Sequence, residues 1–88
     1  SQSGIVQIAY HYDLPVIVTR VGGLPEMVDE NKSGLIIEPE NPYELANVLA
    51  ENINTQTFNE MGSYIQTFKH KFSWENFIKG IEKVYQRI

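Results

Sequence analysis

The 88 residues predict an α/β fold in which short parallel strands are followed by three helices. Three observations predict it. Val16-Ile17-Val18-Thr19 and Leu35-Ile36-Ile37 are short runs with apolar residues at consecutive positions, as in strands covered on both faces of a parallel sheet. The segment between them is long enough for a crossover and too short for a long helix, so strand, helix and strand form a compact unit with an expected right-handed connection. Beyond Asn41 the apolar spacing lengthens to three and four, the period of helices.

The elements follow in order. Ile5 to Tyr12, apolar and aromatic after Gly4, reads as a short helix. Asp13-Leu14-Pro15 ends it, because proline disfavours helix in the residue before it. The first strand follows. Gly22-Gly23 makes a turn, and Pro25 with Glu26 suits the first turn of a short helix. Asn31-Lys32-Ser33-Gly34 is a turn into the second strand. Asn41 is placed to cap a helix, with Pro42 at its first position and Glu44 three residues on. Leu45, Val48, Leu49 and Ile53 mark its apolar face. A second helix is expected from Thr57, with Glu60 completing a capping box and Phe58, Met61, Ile65 and Phe68 facing inward. Gly62 inside it implies a close approach by another segment. A third helix is expected from a Ser73 cap, with Trp74, Phe77, Ile78, Ile81, Val84, Tyr85 and Ile88 on one stripe.

Composition excludes several classes. With 42% hydrophobic and 20% charged residues, the chain has the balance of a globular segment. Seven basic against eleven acidic residues leave a net charge of −4 and no basic stripe, so no nucleic-acid partner is expected. The absence of cysteine removes disulfide, zinc-thiolate and thiol-nucleophile chemistry and is compatible with the cytoplasm. No apolar run approaches the length of a transmembrane segment. No internal repeat or low-complexity tract occurs. Two strands do not make a stable sheet alone, so further strands are expected upstream or from another chain. Together with the abrupt apolar start after Ser1-Gln2-Ser3-Gly4, this marks residues 1–88 as part of a larger protein. The piece alone is expected to self-associate through its uncovered edge or to depend on neighbouring segments.

The motifs carry a resemblance. Ser3-Gly4-Ile5-Val6, Leu14-Pro15-Val16-Ile17-Val18-Thr19, Val21-Gly22-Gly23-Leu24-Pro25-Glu26-Met27-Val28 and Ser33-Gly34-Leu35-Ile36-Ile37 occur in that order. Pro39-Glu40-Asn41-Pro42 then precedes a helix and Phe72-Ser73-Trp74 opens another. This ordered set resembles the C-terminal signature of group 1 glycosyltransferases, the retaining, family 4-like enzymes of GT-B fold, over essentially the whole chain. The resemblance implies the C-terminal half of a Rossmann-like GT-B domain, the part that binds the nucleotide-sugar donor. It also implies a separate N-terminal domain that supplies most acceptor contacts, and a cytoplasmic location, with any contact to the inner membrane face made through the rest of the protein. It implies sugar transfer with retention by the whole protein and none by this piece.

The donor site implied by the resemblance is Ser3, Gly4, Ile5, Val6 and Gln7. There a glycine-containing turn opens a helix whose backbone N–H groups meet the diphosphate. Elementary physics agrees with the place: a helix start carries partial positive charge, and Gly4 lets a phosphate approach without meeting a Cβ. The ordinary alternative is a helix start that binds nothing. The chain departs from the family at one point. The family brackets this turn with two glutamates seven residues apart, the second holding the donor ribose, and here no acidic residue occurs from Ser1 through Tyr12. Ile8 or Ala9 falls at the second place, and Gln7 is the nearest polar substitute. The first glutamate's place falls at Ser1 or upstream of it.

The other candidates read more simply. Gly22-Gly23 is either a turn or a loop built for close approach to a ligand at a strand's carboxyl end. Glu26 suits its helix start. His11, in Tyr10-His11-Tyr12, is expected to be structural rather than a general base. His70, between Lys69 and Lys71, is expected as a solvated cation at a helix end. Trp74, Phe77 and Tyr85 are spaced for core or interdomain packing rather than sugar stacking. No residue set has metal-ligand spacing, no catalytic residue is assigned, and no cofactor is implied beyond the donor as substrate. Two rivals remain: a non-catalytic α/β binding or interaction module, and a GT-B-fold sugar-nucleotide epimerase, which lacks the Gly-Gly-Leu-Pro-Glu arrangement.

Overall fold

The structure, a computed structural model, describes residues 2–86. Helix α1 spans Gln2–His11, strand β1 Val16–Thr19, strand β2 Gly34–Ile37, helix α2 Pro42–Asn52 and helix α3 Thr55–Gln86, and a single 3-10 turn, Leu24–Met27, lies between the strands. The strands pair in parallel as expected, Val16 opposite Gly34 and Thr19 opposite Ile37, but the short helix expected between them is only the 3-10 turn. Among the described residues the sheet has two strands, and the other edge of β1 pairs with no named strand.

Local chemistry sets the boundaries. Helix α1 is already formed at Gln2, three residues before Ile5, so Gly4 lies within the helix rather than ahead of it. It ends where Asp13 turns to φ 60°. The Asp13 N–H then bonds the Tyr10 carbonyl at 3.0 Å and the Leu14 N–H bonds the Ala9 carbonyl at 2.9 Å. This double closure is the Schellman arrangement, with aspartate in the place usually held by glycine. Lys69 of α3 secures the same corner. Its ammonium lies 2.8 Å from the Asp13 carboxylate and donates to the His11 carbonyl at 3.3 Å. Gly62 of α3 passes the same place: a Cβ there would stand 3.1 Å from the Asp13 carbonyl oxygen, so the expected close approach exists.

Asn41 caps α2 as expected, its Oδ1 accepting the Glu44 N–H at 3.1 Å. The Glu44 carboxylate does not complete the box; it accepts the Glu38 N–H at 3.2 Å and so ties the end of β2 to α2. The next cap differs from expectation. Asn54, not Thr57, holds the start of α3, its Oδ1 accepting the Thr57 N–H at 2.8 Å. Glu60 is taken by Gln56 at 3.0 Å.

The larger correction concerns the third helix. Ser73 caps nothing, because α3 runs unbroken for 32 residues and Ser73 is exposed within it. Residues 69–75 contain neither glycine nor proline, and Phe68 and Phe72, one turn apart, stack at 5.8 Å and carry the helix across this point. His70 therefore lies inside a helix rather than at its end. At 1.5 Å per residue α3 is about 48 Å long, which accounts for the 49 Å longest extent of the chain.

The core forms where α1, β1 and the first half of α3 meet: Val6, Tyr10, Val18, Val28 and Ile65 are buried, with Leu24, Ile36, Phe68 and Phe72 against them. Met61 and Ile65 face inward as expected, whereas Phe58 is half exposed. The second half of α3 outruns the sheet. Trp74, Phe77 and Tyr85 are 63%, 58% and 75% exposed, so they are not core in this chain. Ile88, at the end of that stripe, lies outside the described residues.

Gly34 shows how closely the strands approach. A Cβ there would lie 2.9 Å from Val16 Cγ2 and closer still to the Val16 carbonyl oxygen. Only glycine fits this pairing unless the backbone of β1 moves.

Candidate functional site

The connection from α1 to β1 is four residues, Tyr12 to Pro15, and Val6 and Tyr10 pack on Val18. So α1 folds back along β1, and its start comes to the carboxyl end of the strand. Gln2, Ile5 and Val6 of α1, Val16 to Thr19 of β1 and Leu24 of the 3-10 turn line one cleft of about 370 Å³ along the outer edge of β1. Ser3 is exposed, Gly4 is half-buried, and no acidic side chain sits in the first turn of α1.

The loop after β1 closes this end. Arg20 donates its backbone N–H to Ile37 at 2.8 Å and its Nε to Glu38 at 2.8 Å, which prolongs the strand pairing one step. The Arg20 guanidinium is held further above its ordinary value chiefly by that hydrogen bond to Glu38. Gly22 adopts φ 51°, a conformation that favours glycine. Gly23 is different. Its φ is −87° and nothing lies within 4 Å of where its Cβ would stand. Neither backbone strain nor packing within the chain requires glycine there. Glu26 sits exposed at the start of the 3-10 turn, as expected.

The five predicted donor residues do not all share this cleft. The Val6 side chain is buried in the core, so only its backbone can meet a ligand. Gln7 lines a separate cleft of about 680 Å³ between α1 and α3, with His11, Lys69, His70, Ser73, Asn76 and the aromatic rings of Tyr10, Phe72 and Phe77. Of the two positions matching the family's second glutamate, Ile8 is 62% exposed and Ala9 is half-buried. Ser1, named for the first glutamate, lies outside the described residues. Among the described residues no group of three or more histidine and carboxylate side chains is placed to hold a metal ion, and no helix is long and apolar enough to cross a membrane.

The family model of glycosyl transferases group 1 matches residues 2–55, from the start of α1 through α2. The chain belongs to the group 1 glycosyl transferases. An uncharacterized glycosyltransferase of Methanocaldococcus jannaschii is 41% identical over 75 residues, which are 84% of this chain and 21% of that protein. The D-inositol 3-phosphate glycosyltransferase of Corynebacterium jeikeium is 35% identical over 75 residues, 84% of this chain and 18% of that protein. The enzyme of the same name from Thermobifida fusca is 36% identical over 73 residues, 82% of this chain and 17% of that protein. The chain thus spans about a fifth of the length of these relatives. No solved structure matches it.

Sequence reasoning missed the group that joins these segments. Tyr10, 2% exposed, donates from its hydroxyl to the Met27 carbonyl at 2.8 Å. With its proton used there, its oxygen accepts from the buried Ser33 Oγ at 2.9 Å, and Ser33 Oγ accepts the Asp29 N–H at 2.9 Å. Asp29 in turn takes a short hydrogen bond from the Tyr64 hydroxyl of α3. Burial, with the Asp29 charge adding, raises the Tyr10 phenol above its ordinary value against the lowering effect of Ser33. Tyr64 is raised chiefly by its hydrogen bond to Asp29. The signal available in the sequence was a tyrosine one helical turn from Val6 on the face of α1 that must be buried.

Proposed function

We propose that this chain forms part of the donor-binding domain of a glycosyltransferase that moves a sugar from a nucleotide-sugar to an acceptor with retention. The reading places it in the C-terminal half of a Rossmann-like GT-B domain, with acceptor contacts supplied by a separate N-terminal domain and the reaction in the cytoplasm. One observation supports it above the rest: in a chain of this family, the start of α1 and the Gly22–Gly23 loop share the carboxyl end of a parallel strand pair. Ligands of open α/β sheets bind at that end. A helix start and a loop of glycines suit a diphosphate, since both let backbone N–H groups approach its oxygens. A Gly23 that neither packing nor conformation requires is explained by close approach of a ligand.

A specific observation favours a second reading, a non-catalytic binding module: no acidic residue stands in α1 to hold a ribose. One experiment separates the two. Donor affinity of the full-length protein is measured by calorimetry against uridine- and guanosine-diphosphate sugars, for wild type and Gly4→Val. Binding by wild type, lost in a Gly4→Val protein with unchanged thermal unfolding, supports the donor site. Equal affinity in both proteins removes Gly4 from the site. Binding without transfer to any acceptor favours the non-catalytic module. The isolated 88 residues are expected to form no glycoside product, and robust product from them overturns that expectation.

A further inference from the structure

The aromatic cluster between α1 and α3 does more than fill space. The Tyr10 ring is wedged edge-on against Phe68 and Phe72 at 5.5 and 5.7 Å, at interplanar angles of 88° and 83°. Those rings fix its direction, and they point its hydroxyl at the last carbonyl of the 3-10 turn, that of Met27. The same hydroxyl meets Ser33, the residue that enters β2, and through it the backbone of Asp29. Three segments that are distant in sequence therefore meet at one oxygen atom: the helix whose start lines the cleft, the turn that follows Gly22-Gly23, and the corner before β2. No buried side-chain polar atom among the described residues lacks a partner, so the chain of hydrogen bonds is complete and directional, from Asp29 N–H through Ser33 and Tyr10 to Met27.

We propose that Tyr10 is a positioning residue for the donor site, its hydroxyl setting where the Gly22–Met27 loop stands relative to the start of α1. The inference rests on the donor-site reading above. The hydroxyl touches no ligand itself. It holds the far end of the loop, while the near end is held by the Arg20 N–H on Ile37 and the Val21 N–H on Thr19. Without it the Met27 carbonyl loses its side-chain donor, and the far end of the loop is held only by the packing of Leu24, Met27 and Val28 on the core. Pre-set loop geometry matters here because a ligand otherwise has to order the loop as it binds.

The test uses the full-length protein, with uridine and guanosine diphosphates and their sugar esters as probes. Tyr10→Phe keeps the ring and removes one oxygen. It is expected to weaken binding of whichever probe wild type takes by about fivefold, the effect of one hydrogen bond, and to speed amide hydrogen exchange across Gly22–Met27 by a similar factor. Ser33→Ala is expected to act in the same direction. Ile65→Val trims one carbon from the buried core but leaves the three rings and the hydroxyl chain in place, and is expected to lower the thermal midpoint while keeping affinity and loop exchange within about twofold. If Ile65→Val weakens binding as much as Tyr10→Phe does, the effect is one of general stability and the assignment falls. It also falls if Tyr10→Phe leaves affinity and exchange unchanged in a protein whose wild type binds a probe. A wild type that binds none of the probes overturns the donor-site reading itself, and the Tyr10 proposal with it.

Discussion

Gly34→Ala tests the packing of the two strands directly. The added methyl group would meet Val16 from two sides, with Cγ2 at 2.9 Å and the backbone carbonyl oxygen closer still. The side chain can turn away, but the carbonyl belongs to β1 and moves only with the strand. Val18, two residues along, is core, 6% exposed and packed with Val6, Tyr10 and Ile65. Relief therefore strains either the register Val16↔Gly34 or the core. Overpacking of this kind costs about 1–3 kcal/mol, and a backbone clash belongs at the upper end. A globular chain of 88 residues has roughly 4–13 kcal/mol to lose. With a urea dependence of about 1 kcal/mol per molar, the midpoint should fall by about 2–3 M. The assay is urea unfolding followed by circular dichroism at 222 nm, for wild type, Gly34→Ala and Gly23→Ala. Gly23, with φ −87° and open space at its Cβ position, should tolerate alanine or gain up to about 1 kcal/mol. A Gly34→Ala midpoint within about 0.5 M of wild type would refute the argument from close strand approach.

Other outcomes follow from the same geometry. Lys69→Met removes the half-buried partner of Asp13 and the donor to the His11 carbonyl; unfolding should show a loss of about 0.5–1 kcal/mol. The Tyr10 phenol is raised above 10.0 in the folded chain, so the folded state holds that proton to higher pH than the unfolded one. Its contribution is fully present below pH 10 and is lost as pH rises through the folded value, so wild type should lose stability faster than Tyr10→Phe in alkaline unfolding titrations. Gln7→Ala should weaken donor binding by about fivefold if Gln7 reaches the ribose. Its place in the cleft with His11 and His70 argues for no change, and calorimetry decides. Sedimentation of the 88 residues should show self-association that falls when Trp74 and Phe77, both exposed on α3, are replaced by glutamine. A clean monomer at high concentration counts against it.

Much was legible in local chemistry. The two strands, the Asn41 cap, the Gly22-Gly23 turn and the family follow from β-branched runs, a capping side chain and motif order, which act within a few residues and need no tertiary contact. The end of α1 was legible only in part. Asp13-Leu14-Pro15 announced a stop, but that Asp13 takes φ 60° depends on Lys69 and Gly62, which arrive from α3. The capping logic failed at Ser73 for the converse reason. Serine inside an exposed helix costs less than about 0.7 kcal/mol relative to alanine, too little to break a helix that the stack of Tyr64, Phe68 and Phe72 against Tyr10 holds up to that point.

For the candidate site, the residue types alone determined that a glycine-containing helix start and a glycine loop exist and that no acidic group accompanies the first. Only the tertiary structure decided that the start of α1 and the loop after β1 come to the same end of the strand pair, that Gln7 lines a separate cleft, and that Tyr10 joins the loop to the helix. The physical reason is that one hydroxyl at hydrogen-bond distance from a carbonyl 17 residues away depends on how the strands and α3 fix two backbones relative to each other. Short-range propensities carry no information about that distance.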